Sequence, residues 1–168
     1  MKITISYSVC DSEIEKIEQL LPEMENVLSD VSSEILKNKD IKAYIKTSSL
    51  FDNCPKEVII DLYITNNDEI QALNSEYRGK DVPTDVLSFA MQEAEETIML
   101  PVLHLGEIII SLDKLVEQAK ANGHNELNEF VFLLVHGILH LFGVHHETDE
   151  AYQYIMSIQN DILTKVLS

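Results

Sequence analysis

The stretch from Glu126 to His146 constrains this chain most. From Glu126 to Phe142 it is apolar on nearly every side (Phe130, Val131, Phe132, Leu133, Leu134, Val135, Ile138, Leu139, Leu141), so a helix there must be buried. Two histidines, His136 and His140, interrupt the apolar run at spacing i, i+4. On a helix that spacing puts both imidazoles on one face, with Cβ atoms about 6 Å apart. A polar ring in such surroundings is costly without a partner. Gly143 stands where a left-handed turn would stop the helix. The chain can then fold back and bring His145 or His146 to the same point. Four of the six histidines of the chain lie between His136 and His146.

The pattern H-x-x-x-H-x-x-G-x-x-H is the ligand spacing of zinc metallopeptidases that use three histidines. Those enzymes carry a glutamate directly after the first histidine as general base. Here that position is Gly137, which has no side chain. The sequence therefore keeps a three-ligand metal cage and lacks the peptidase base. Three protein ligands leave a fourth position for water, the mark of a catalytic rather than a structural zinc site. His146 is the expected third ligand because its loop offset matches, and His145 next door is the alternative.

A second concentration of chemistry runs from Asn74 to Phe89 (NSEYRGKDVPTDVLSF). Arg78 is the only arginine, the other eleven cations being lysines, in a chain with a formal charge of −17. A lone guanidinium beside Lys80 suggests a contact with an anion, because it clasps phosphate through two parallel hydrogen bonds. The alternative is an ordinary surface ion pair. Asp81, Thr84 and Asp85 surround Pro83 and fit a turn before a strand. Glu107 sits on an otherwise apolar strand. Either it supports a metal-bound histidine from behind, or it marks the solvent face of the sheet. His104 and His124 fall at a strand start and in a glycine turn, where no role in the site is expected. Cys10 and Cys54 lie far apart without a C-x-x-C motif and are expected as reduced thiols.

Composition bounds the rest. With 168 residues, 45% of them hydrophobic, the chain suits one domain with a sizeable core and is too apolar for broad disorder. Its acidity argues against a nucleic-acid coat protein, which needs a basic face, and against a helix lying on a membrane surface. No apolar run reaches the roughly 20 residues of a bilayer span. The N-terminus lacks the pattern of a signal peptide, and a cytoplasmic location is expected.

Alternation predicts strands at Lys2–Val9, Val58–Thr65, Val86–Met91 and His104–Ser111, with Ile41–Thr47 as a further short candidate. Helical periodicity predicts helices at Pro22–Leu36, Glu69–Tyr77, Leu112–Ala121, Glu126–Phe142 and Asp149–Val166. The acidic stretch Gln92–Thr97 reads as a surface excursion. The fold class that follows is α/β (α+β). It is a single domain over residues 1–168, with a small mixed four-stranded sheet, about five helices and the metal site on the buried one.

Three blocks of this sequence resemble one family. They are Leu73–Phe89 (LNSEYRGKDVPTDVLSF), Leu105–Ser111 (LGEIIIS) and His136–His146 (HGILHLFGVHH), in that order. Together they are similar to the YbeY endoribonucleases, bacterial rRNA maturation factors. The resemblance implies a metal-dependent endoribonuclease directed at single-stranded RNA, acting in 16S rRNA 3′-end maturation and ribosome quality control. It also implies one zinc ion per chain on His136, His140 and His146, and a catalytic or phosphate-binding role for Arg78. The family usually has Tyr-Asp before the last histidine, where this chain has Val144-His145. The charge suggests weak affinity for free RNA. The RNA is therefore expected to be presented by the ribosome or a ribosomal protein, with neither DNA nor a membrane as partner. The expected chemistry is hydrolysis of a phosphodiester, with His136 and Arg78 as the catalytic pair and Glu107 or Asp85 as weaker candidates for a base.

Overall fold

Strand β2 (Glu57–Thr65, EVIIDLYIT) shows why the chain builds a sheet. Its β-branched and aromatic residues favour the pleated conformation. Val58, Ile60, Leu62 and Ile64 fall on one buried face, and Ile59, Asp61 and Tyr63 fall on the other. The computed structural model describes residues 1–91 and 101–168. In it β2 pairs in parallel with β1 (Lys2–Val9) and with β4 (Val102–Ser111), and β3 (Val86–Ala90) runs antiparallel to β4. The sheet order is β1-β2-β4-β3. This is the mixed four-stranded α/β sheet expected from the sequence. The acidic stretch Gln92–Thr97 lies outside the described residues.

Seven α-helices accompany the sheet among the described residues: α1 (Ile14–Ile17), α2 (Leu21–Lys37), α3 (Lys39–Thr47), α4 (Asn67–Arg78), α5 (Leu112–Asn122), α6 (Glu126–Leu141) and α7 (Asp149–Val166). Two of them are additions to the five expected. The candidate strand Ile41–Thr47 is a helix instead. Asn38 caps it, its side-chain oxygen accepting from the backbone N–H of Asp40 at 3.0 Å and of Ile41 at 3.1 Å. Ile41, Tyr44 and Ile45 then share the inward face at helical spacing, which outweighs the apparent alternation.

Helices α2, α6 and α7 join the inner face of the sheet in one core containing Val31, Ile60, Ile108, Phe130, Leu134 and Ile158. Each such side chain contributes about 1.5–3 kcal/mol by leaving water. On the other face, Ile70 of α4 closes a smaller cluster with Leu87 and Ile109. No described helix is long and apolar enough to cross a membrane. Cys10 and Cys54 are both free thiols.

The position of α6 depends on Gly137. A Cβ built there would lie 2.9 Å from Ile108 Cγ2 of β4, so the helix backbone packs directly against the Ile108 side chain. Gly137→Val is expected to lower the unfolding free energy by about 2–3 kcal/mol through overpacking, as read from urea melts. An unchanged midpoint would mean that the helix can ride outward freely. The same contact turns position 137 toward the sheet, so a glutamate there would not reach the cleft as a peptidase base.

Candidate active site

The fold brings the two histidines of α6 and the turn after it to one point. Helix α6 ends in a Schellman motif: the N–H of Gly143 donates to His140 O at 2.9 Å and that of Val144 to Leu139 O at 3.0 Å. Gly143 takes φ +84°, a left-handed conformation that a side chain would disfavour. This reverses the chain and returns His146 over the helix. One nitrogen each of His136, His140 and His146 then lies within 4.8 Å of the others. The Nε2 atoms of His136 and His140 are 2.9 Å apart.

His145 takes a different place. Its Nδ1 lies 3.3 Å from Nδ1 of His140, behind that ring and away from the point of convergence. His146, not His145, completes the close trio with His136 and His140. His136 is supported from behind. Its Nδ1 lies 3.3 Å from Oε1 of Gln159, which is fully buried on α7. Sequence reasoning misses Gln159. The available signal is a lone amide on the apolar stripe of α7, between Ile155, Ile158 and Ile162.

Burial pushes the His136 imidazole below its ordinary pKa. Burial, reinforced by His136, His146, His145 and Arg78, pushes His140 down to about 4. Both rings are thus neutral at pH 7 and offer lone pairs. Two acceptor nitrogens at such short range repel unless a proton or a cation lies between them. Tetrahedral zinc ligands about 2.0–2.1 Å from the ion sit roughly 3.4 Å from one another, a spacing that this trio brackets. Imidazole nitrogens suit zinc, and equally copper or nickel. The donor set therefore fits one divalent ion with three protein ligands.

His136 and His140 open onto a cavity of about 550 Å³, whose walls also include Arg78, Asp85, Ser88 and Tyr44. Arg78 is the last residue of α4, and its Nη2 donates to Ser88 O at 3.2 Å. It makes no ion pair with any described carboxylate, so its charge remains available to an anion in the cavity. Asn74 anchors the loop that follows by donating to Val82 O at 2.9 Å. Asp85 accepts from Val86 N at 2.8 Å and from Gln118 Nε2 at 3.1 Å, so both of its oxygens are engaged.

The remaining candidates lie elsewhere. Glu107 is on the opposite face of β4 from Ile108, beside Asp61 and His104, and burial raises its pKa. It therefore does not support a triad histidine. His104 pairs with Asp61 at 2.7 Å, and His124 pairs with the buried Glu129 at 2.5 Å. Lys80 is exposed next to the loop.

The model of the family described as Endoribonuclease YbeY matches residues 5–167. A relative named Endoribonuclease YbeY from Geobacillus kaustophilus is 40% identical over 144 residues, covering 82% of this chain and 90% of that protein. Its namesake in Bacillus subtilis is 37% identical over 151 residues, covering 86% and 94%. The solution structure of TM1509 from Thermotoga maritima is similar at a TM-score of 0.50 and 25% identity, over 98% of this chain and 88% of that one. A match over nearly the whole length, together with relatives at this identity, means that the chain belongs to the YbeY endoribonuclease family.

Proposed function

We propose that this protein is a zinc-dependent endoribonuclease that cuts single-stranded RNA, acting in 16S rRNA 3′-end maturation and in ribosome quality control. Family membership carries the coarser part, an endoribonuclease of rRNA processing. The observation that carries the finer part is the convergence of three imidazole nitrogens within 4.8 Å at a cavity shared with the only arginine of the chain. Residues 1–168 act as one domain and one zinc ion per chain is expected.

His136, His140 and His146 would hold the ion. When bound, it supplies Lewis acidity toward a phosphate oxygen and makes a neighbouring water a stronger acid. The chain's own residues do the rest. Gln159 orients the His136 imidazole from behind. Arg78 binds the phosphate and offsets charge that builds on its oxygens. Asp85 contributes a fixed negative charge at the wall of the cleft, where it raises the pKa of His136 against the effect of burial. Gly137 faces the sheet, which disfavours a peptidase.

The formal charge of −17 opposes tight binding of free RNA, because few cations means little counterion release. Presentation by the ribosome or a ribosomal protein would supply the missing attraction, in the cytoplasm and without DNA or membrane. The test is cleavage of a single-stranded oligoribonucleotide and its duplex by purified protein. Cleavage of the single strand alone, lost on chelation and restored by zinc, is the expected result. Cleavage unaffected by chelator would refute the metal dependence.

A further inference from the structure

We propose that Gln159 sets the tautomer of His136 and so aims its Nε2 at the point where the three imidazoles meet. The proposal rests on the metal-centre reading above and assigns a positioning residue to it.

Gln159 is fully buried on α7, thirteen positions after His146, with no solvent to satisfy its amide. Its two polar atoms have fixed duties. Nε2 lies 2.9 Å from Phe132 O, one turn before His136 on α6. A carbonyl can only accept, so the nitrogen of the amide must face Phe132. Oε1 is then the atom 3.3 Å from His136 Nδ1, and it too can only accept. The proton of the neutral imidazole is therefore drawn to Nδ1, leaving Nε2 as a bare lone pair. That lone pair lies 2.9 Å from His140 Nε2. The opposite tautomer would oppose two acceptors at Gln159 and put an N–H where the ligand atom is needed. Because Phe132 and His136 share a helix face, one amide reads both and ties the ring to the backbone of its own helix. Partners behind a metal-binding histidine commonly matter by about 10–100-fold in metal affinity.

The experiment uses the full chain with ¹⁵N-labelled histidine, wild type and the near-isosteric Gln159→Met. In metal-free wild type, long-range ¹H–¹⁵N spectra should show His136 with its proton on Nδ1. In Gln159→Met the signal should move toward the Nε2–H form or a mixture, and zinc affinity by chelator competition should fall about 10–100-fold. Gln159→Glu keeps an acceptor facing Nδ1, while its second oxygen must carry a proton to donate to Phe132 O as the amide does; in that neutral form it should restore the Nδ1–H signature. A wild-type His136 protonated on Nε2, or a Gln159→Met protein with unchanged tautomer and affinity, would overturn the proposal. The wild-type spectrum decides even if Gln159→Met does not fold. Failure of the metal-centre reading is a separate result: wild type that binds no zinc while its His136 still carries the Nδ1 proton.

Discussion

His140→Ala is expected to eliminate retained zinc and to reduce RNA cleavage by at least about a thousandfold, the scale of losing the main electrostatic element of a hydrolytic site. The ring supplies one of three converging nitrogens and stands 2.9 Å from that of His136. Two imidazoles alone bind a divalent ion far more weakly than three. The variant should still fold, since His140 is only half-buried and its loss opens toward the cavity. A change of about 1 kcal/mol in the metal-free protein is the expected scale. The thermal response to zinc separates the two proteins. Ligand at 1,000 times its Kd stabilises by about 4 kcal/mol, so wild type should melt at higher temperature with zinc and His140→Ala should not. A variant that keeps its zinc and cuts RNA at the wild-type rate would remove the triad from the chemistry.

Arg78→Ala should leave fold and zinc content unchanged while cleavage falls by about 10²–10³-fold, the usual cost of deleting one preorganised donor to developing negative charge. Its side chain is exposed, and its described bond is a single one, to Ser88 O at 3.2 Å. The stability change should stay within about 0.5 kcal/mol. Arg78→Lys keeps the charge and loses the two-pronged geometry, so an intermediate rate is expected. This pair of variants also separates an enzyme from a metal-stabilised assembly factor. For an assembly factor that the metal holds together, His140→Ala would melt the fold outright and Arg78→Ala would do nothing. Melting curves, zinc content and rates on the same oligoribonucleotide decide between them.

The parts of this architecture that were legible in the sequence share a property: their physics is local. β2 and α6 announce themselves by apolar periodicity, and the turn at Gly143 by its place after a helix. The histidine spacing is local too: it puts His136 and His140 on one helix face, with His146 expected and His145 as the alternative for the third place. Helix α3 was less visible, because Ile41, Ala43 and Ile45 alternate as a strand would. The cap at Asn38 and the helical spacing of Ile41, Tyr44 and Ile45 argue for the helix. What sequence could not resolve depends on packing between distant segments. Whether Glu107 faces the histidines or the opposite side depends on which face of β4 meets α6. Gln159 meets His136 only because α7 lies across α6. The division between His146 at the point of convergence and His145 behind His140 follows from the course of a four-residue turn.

Crystals of protein purified without chelator, measured just above the zinc absorption edge, test the central claim most directly. The expected anomalous map has one peak per chain, about 2.0–2.1 Å from a nitrogen of each of His136, His140 and His146. A map with no peak there after zinc soaking, or with the three rings turned away from one another, would contradict it.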